Sequence, residues 1–291
     1  MDGKRWLSII SILLYALAAI ILCYTIPRAE FISVFALFTA LFILYIIILR
    51  TKLSLKWLLA GAIAVRICLL FSTPNLSDDV YRFIWDGRVS TNGLNPFLYT
   101  PDYFIHEISE GVKGLNYSMY SFLNSQKYYT VYPAFAQYIF TVSAAMDVNN
   151  IHLSIIIFKL LLLLFELVLI TCALKLLHAL KINERNILLY AYNPLTVTEV
   201  MGNAHFEPVM ISFLLLGFWA MHKQKISLAA IMMAISVSTK MLPLMFAPLL
   251  LRYLNFKQIL QFALICIALI ALLFLPFYNL QIFTNLFSSV N

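Results

Sequence analysis

Ser77-Asp78-Asp79-Val80-Tyr81-Arg82-Phe83-Ile84-Trp85-Asp86-Gly87-Arg88, continuing to Gly93-Leu94-Asn95-Pro96-Phe97, is the most highly charged stretch of a chain that otherwise carries few charges. Ser77 or Asp78 is suited to cap a helix whose first turn is acidic. Asp79, Arg82 and Asp86 then recur at i, i+3 and i+7 on one face. Tyr81, Ile84, Trp85 and Arg88 lie on a neighbouring face with the composition of a bilayer surface. The pattern predicts an interfacial amphipathic helix headed by two adjacent carboxylates, with Gly93 and Asn95-Pro96 forming a turn after it. A capped, salt-bridged surface helix would have the same spacing. The functional alternative is that one carboxylate takes a proton from a hydroxyl nucleophile while nearby cations hold a phosphate.

The rest of the chain makes this stretch conspicuous. Of 291 residues, 63% are hydrophobic and 11% charged, against about 45–50% and about 25% in ordinary soluble domains. That composition excludes a soluble globular enzyme, a disordered chain and a disulfide-framed secreted domain. The four cysteines (Cys23, Cys68, Cys172, Cys266) lie in apolar runs without metal-ligand spacing and read as packing residues. Six of the thirteen acidic residues (Asp78, Asp79, Asp86, Asp102, Glu107, Glu110) fall in the single polar stretch that interrupts the apolar runs.

Those runs cover residues 6–26, 31–49, 55–72, 131–146, 152–176, 186–201, 207–222, 226–251 and 258–277. At about 20 residues per crossing, the chain has room for about seven to nine membrane helices and one sizeable loop. The net charge of +7 is then expected to mark cytoplasmic loops and not nucleic-acid binding. Lys4-Arg5, Arg50/Lys52/Lys56, Lys175/Lys181/Arg185, Lys223/Lys225 and Arg252/Lys257 all belong inside by that rule, with the first helix a signal anchor. Three crossings put the polar stretch 73–130 outside. Parity then requires that 131–146, which begins with Tyr132-Pro133, lies along the outer surface while 152–176 crosses. It also requires that 226–251, flanked by basic residues at both ends, breaks near Lys240-Met241-Leu242-Pro243, where the proline removes a helical hydrogen bond. On this topology three polar groups converge on the outer face: the acidic loop, the segment Gly202-Asn203-Ala204-His205-Phe206-Glu207, and Lys240. Ionisable side chains at membrane depth are costly enough to be functional candidates by default. His205 and Glu207 read as ligands for acceptor hydroxyls or for phosphate, or else as an interfacial pair ending two helices. Lys240 is suited to neutralise a phosphate or to snorkel. Arg66 is expected to snorkel or else to approach a phosphate, Lys159 and Glu166 to make polar contacts within the bundle, and Glu199 to support the segment 202–207. The tyrosines of the loop suit sugar stacking or the membrane interface.

The run SDDVYRFIWDGRVSTNGLNPF resembles the first outer loop of GT-C superfamily glycosyltransferases, in particular the bacterial polyprenol-phosphate-mannose-dependent mannosyltransferases related to the GPI mannosyltransferase I group. Val131-Tyr132-Pro133, Ala191-Tyr192-Asn193-Pro194-Leu195 with Gly202 to Glu207, and Thr239-Lys240-Met241-Leu242-Pro243-Leu244 resemble further elements of that family in the same order. The resemblance implies an all-α polytopic bundle of the GT-C type in a single domain over 1–291. Its parts would be an outer catalytic loop (73–130), a juxtamembrane helix (131–146) and a second outer loop (202–207). It also implies a bacterial inner-membrane location with the catalytic loop on the non-cytoplasmic side. The expected reaction is inverting transfer of a hexosyl group, mannose by resemblance, from a polyprenyl-phosphate sugar to a hydroxyl of a glycan or glycolipid. Asp78 or Asp79 would be the catalytic base, with Arg82, Arg88, Lys240 and His205 on the donor phosphate. Asp86, Asn95, Asn203 and Glu207 would contact or support substrate. No cofactor is expected; a divalent metal is compatible with paired aspartates, but no spacing demands one. Relatives usually continue through further helices, so the chain is expected to be shortened at its C-terminus. The competing class is a transporter or lipid-linked-sugar flippase, which would also use broken helices and intramembrane charges. Against it stand the absence of an internal repeat and the position of the carboxylates in a loop.

Overall fold

The computed structural model describes residues 3–108, 112–147, 149–282 and 284–285. The side chains of Lys4 and Arg5, Glu110 and the tail Phe287–Asn291 lie outside the described residues. The protein is 75% helical, with no strand among the described residues, as expected of a polytopic helical membrane protein. Among the described residues four helical segments are long and apolar enough to cross a bilayer: Trp6–Thr25, Phe31–Arg50, Ile151–Ala179 and Phe256–Phe277. Residues 194–202 and 207–222 make a fifth if taken as one interrupted span. Only 11% of the apolar window of the second segment and 6% of the fourth are buried. Such outward-facing hydrocarbon calls for a lipid environment, which helices tolerate because most of their backbone groups are paired internally.

Fewer single helices than the expected seven to nine reach that length among the described residues, because polar breaks divide the apolar runs. Asn193-Pro194 interrupts 186–201: the Asn193 side chain accepts from Leu195 N–H, and Pro194 opens a new short helix. The run 226–251 ends its first helix at Thr239, since Lys240 is extended (φ −156°, ψ 137°), and resumes as a 3-10 turn over Leu242–Phe246. The interruption expected at Lys240–Pro243 is thus present, with Pro243 supplying the turn.

The chain divides into two compact units. The first joins Met1–Val80 to Leu162–His205. It contains α1 (Gly3–Thr25), α2 (Phe31–Arg50) and α3 (Leu55–Cys68). α1 lies against both α2 and α3. Tyr15 donates to Tyr192 O (2.9 Å), and Tyr192 donates to Leu58 O (2.7 Å), so both buried hydroxyls are satisfied. Arg66 does not snorkel. It is fully buried and forms a fork with Glu166, Nε to Oε2 at 2.7 Å and Nη2 to Oε1 at 2.9 Å. Its Nη1 donates to Ala191 O (2.8 Å), and Tyr190 donates to Glu166 Oε1 (3.0 Å).

The second unit joins Tyr81–Leu161 to Phe206–Asn291. It takes most of α4 (Asp79–Thr91) and α5 (Ala134–Ala145). Further along are α7 (Glu207–His222), α8 (Ile226–Thr239), α9 (Ala247–Tyr253) and α10 (Phe256–Phe274). The long helix α6 (Ile151–Ala179) contributes residues to both units. α8 lies against α5, α7 and α10. α5 has 12 residues behind Pro133, about 18 Å at 1.5 Å per residue, well short of the roughly 30 Å hydrocarbon thickness.

α4 is not the surface helix that its pattern predicts. Val80 and every residue from Arg82 to Val89 are buried. Phe83 stacks on Phe140 (centroids 4.7 Å) and meets Tyr132 and Phe206 edge-on, Tyr81 stacks on Phe122, and Trp85 lies beside Tyr120. The face expected to meet lipid is covered by the loop's own aromatics. The helix ends in a Schellman motif: Leu94 N–H bonds Val89 O, Gly93 N–H bonds Ser90 O, and Gly93 takes the left-handed conformation (φ 75°) that glycine allows.

Gly87 lets α4 approach α5 directly. A Cβ there would fall into the Phe140 carbonyl group, which is helix backbone and cannot swing aside. Gly87→Ala is expected to destabilise the protein by about 1–3 kcal/mol, the usual cost of overpacking. A thermal-unfolding midpoint in detergent equal to that of wild type would show that the close approach is not required.

Candidate functional site

The loop between α3 and α4 is tied down before it reaches the aspartates. Asn75 Nδ2 donates to Leu22 O (2.9 Å) and Ile26 O (2.5 Å), taking up carbonyls at the C-terminal end of α1 that lack helical partners. Leu76 N–H donates to Asn203 Oδ1 (3.3 Å), and Ser77 Oγ accepts from Asp79 N–H (3.3 Å). Asp79 opens α4, where its charge complements the helix dipole. Asp78, just before it, is ion-paired with Arg28 at 2.5 Å. Arg28 lies in the connection between α1 and α2 and carries no signature in the sequence beyond its charge.

The facing segment is shaped by a wide helical turn over Thr198–Gly202, closed by Asn203 N–H to Thr198 O (2.8 Å). Such π turns occur often at functional sites. Ala204 then takes φ 60°, a strained conformation for a residue with a Cβ, and His205 N–H bonds back to Glu199 O (2.9 Å). The reversal brings His205 over its own turn. Its Nδ1 is 3.2 Å from Glu199 Oε2, while its Nε2 is 3.3 Å from Ser77 Oγ and 3.6 Å from Asp79 Oδ2. An ionised carboxylate only accepts, so a proton on Nδ1 is donated toward Glu199 and one on Nε2 toward Asp79. Asn203, buried, donates to Glu199 Oε2 (3.1 Å) while it accepts from Leu76, and so links the two loops.

Within the first unit, then, Asp78, Asp79, Asn203 and His205 come together, joined by Arg28, Ser77 and Glu199. The chemical capacity of the group is proton uptake at Asp79, beside an imidazole oriented from behind and a cation on the neighbouring carboxylate. Among the described residues no three His, Cys, Asp or Glu side chains are grouped to hold a metal ion.

The remaining candidates belong to the second unit. Arg82 is buried, bonding Asp86 Oδ1 (2.9 Å), Ser125 O (3.0 Å) and Tyr128 O (2.9 Å). Asp86 also accepts from Gln137 Nε2 (3.3 Å). Arg88, equally buried, donates to Gly114 O (2.7 Å); burial pushes its guanidinium down to about 10. Both arginines are engaged in holding the loop over α4. Asn95 donates to Phe277 O (2.7 Å) and accepts from Phe97 N–H (3.0 Å), forming the expected turn. Glu207, at the start of α7, pairs with Lys240 Nζ at 2.6 Å, and the ammonium stands 5.7 Å from the Phe206 ring centre. Met241, Ile267, Ile270, Phe274, Leu275 and Ile282 border an apolar cleft of about 580 Å³.

No curated protein and no solved structure matches the chain significantly. The family described as alpha-(1->6)-mannopyranosyltransferase, N-terminal domain, does match, over residues 5–254. That span contains Arg28, the aspartate pair, Glu199, His205 and Lys240 in one alignment, and it makes the chain a member of the alpha-(1->6)-mannopyranosyltransferase N-terminal domain family.

Proposed function

We propose that the chain is an inverting membrane glycosyltransferase of the GT-C type. It would move a mannosyl group from a polyprenyl-phosphate donor to a hydroxyl of a glycan or glycolipid on the non-cytoplasmic face. The observation that carries this reading is the Asp79–His205–Glu199 arrangement beside the Arg28-bound Asp78. Family membership supports a sugar donor and a glycan acceptor, and the lipid-facing helices support a donor that arrives from the bilayer.

Asp79 is the base in this proposal. Asp78 is already engaged by the Arg28 guanidinium. Asp79 Oδ2 faces the His205 imidazole, 3.6 Å from its Nε2. In the reaction the acceptor oxygen forms its bond to the anomeric carbon as its proton passes to Asp79. The bond from that carbon to the donor phosphate oxygen breaks, and the phosphate leaves with the electron pair. His205, oriented by Glu199, holds Asp79 or a substrate hydroxyl in line. The buried arginines Arg82 and Arg88 act here through the loop they brace and not on phosphate. The apolar cleft that starts at Met241, next to Lys240, has the chemistry to receive an isoprenoid chain.

The test is transfer by the purified protein in nanodiscs, supplied with radiolabelled polyprenyl-phosphate mannose and a mannoside acceptor. Label is expected in the acceptor, with inverted anomeric configuration. Transfer from a nucleotide sugar in place of the lipid donor would overturn the donor assignment. Movement of the lipid-linked sugar across sealed vesicles without transfer would establish the transporter class.

A further inference from the structure

Arg28 is the one basic residue in the connection between α1 and α2, residues 26–30. The other basic residues of this unit's helix ends lie elsewhere. Arg50 closes α2 at its far end, and Arg185 is fastened there by donating to Thr51 O (2.7 Å) and Leu53 O (2.9 Å). Among the described residues, Arg28 is therefore the cation that this unit pairs with Asp78. Its side chain is 60% exposed, and its hydrogen bonding among the described residues is a single donation from Nη1 to Asp78 Oδ2. An ion pair so exposed contributes little to stability. Among the described residues the other guanidinium N–H donors make no hydrogen bond.

We infer that Arg28 binds the departing phosphate of the lipid-linked donor, and that Asp78 is the positioning residue that aims its guanidinium. This rests on the reading of the chain as a lipid-phosphate-dependent transferase. A displacement that expels a phosphate monoester needs a cation where negative charge accumulates, close to the group that removes the acceptor proton. Asp79 and Asp78 are consecutive, so the base and the Arg28 anchor are a residue apart. A guanidinium held at one Nη by a carboxylate keeps a planar fork of donors that suits two phosphate oxygens, whereas an ammonium would act only as a point charge. In the reaction the anomeric carbon–oxygen bond breaks toward the phosphate, which keeps the electron pair and gains hydrogen bonds from Arg28. The proton released by the acceptor goes to Asp79, so Arg28 exchanges no proton.

The experiment measures binding of polyprenyl monophosphate and of uncharged polyprenol to the full chain in nanodiscs, for wild type, Arg28→Gln, Arg28→Lys, Asp78→Asn and Asp79→Asn. Wild type is expected to prefer the phosphate. Arg28→Gln should reduce that preference by about tenfold or more, the worth of a charge-assisted hydrogen bond, without altering polyprenol binding. Arg28→Lys should retain part of it, Asp78→Asn should lose part of it, and Asp79→Asn should keep it. Undiminished phosphate preference in a folded Arg28→Gln protein overturns the inference while leaving Asp79 as base intact. Equal binding of both lipids by wild type overturns the lipid-phosphate reading itself.

Discussion

Asp79→Asn is expected to lower the transfer rate by about 10²–10⁴-fold, the contribution of a positioned general base, with little change in the KM for the lipid donor. The amide keeps the shape of the carboxylate and its place at the start of α4, but it cannot take up a proton. The expectation for Asp78→Asn differs in kind. That carboxylate is neutralised by Arg28 at 2.5 Å, so its loss frees a guanidinium and raises the donor KM more than it lowers kcat. His205→Gln should fall between the two. Glutamine can still bond Ser77 or Glu199, but it cannot bridge from Glu199 to Asp79 across an aromatic ring, a path now spanned by contacts of 3.2 Å and 3.6 Å. The comparison needs steady-state rates for the three variants at saturating acceptor. If Asp78→Asn abolishes turnover while Asp79→Asn retains it, the two roles are reversed.

Much of this arrangement is legible before any coordinates, for a physical reason. In a chain so apolar, each charge is expensive and therefore informative. The adjacent aspartates stand out on that ground, as does the break at Lys240–Pro243, where an extended lysine separates two helical pieces. His205 and Asn203 are also found because a polar segment between apolar runs has few roles. Partnerships are what stay hidden. Arg28 and Asp78 are 50 residues apart, Ser77 and His205 128 apart, Arg66 and Glu166 100 apart. Neither spacing nor periodicity encodes which distant side chain closes a pair. α4 shows the same limit from another side. Its periodicity correctly groups Arg82 with Asp86 on one face, yet gives no sign that Tyr120, Phe122 and Tyr132 come back to cover the rest. An amphipathic pattern identifies a face; whether lipid or the chain's own loop covers it is decided by tertiary structure. Arg66 meets the same limit: an isolated arginine in a membrane helix is expected to reach the interface, and nothing in its spacing points to Glu166, 100 residues away.

Arg66→Met is expected to destabilise the protein by about 3–5 kcal/mol, because it leaves the Glu166 carboxylate buried without its cation. Both side chains are fully buried. The fork supplies two charge-assisted bonds, and Tyr190 and the Ala191 carbonyl complete the set. Glu166→Leu should cost a similar amount by stranding the guanidinium. The double variant, Arg66→Met with Glu166→Leu, should recover most of the loss, since apolar replacement of a whole buried pair is often neutral or stabilising. The two single effects are therefore strongly non-additive, and thermal unfolding of the four proteins in one detergent measures this directly. Single variants are expected to unfold on the order of 10 °C lower. Equal losses that simply add in the double variant would show that the two residues act independently. The pair also bears on the site through the backbone. Arg66 Nη1 holds Ala191 O, and Ala191 leads through Asn193-Pro194 into the turn that carries Glu199. A double variant that regains stability but transfers sugar more slowly than wild type would show that the ion pair fixes the register of that segment. Restored stability with full activity would confine its role to folding, because a methionine–leucine contact can fill the volume but cannot donate to the Ala191 carbonyl.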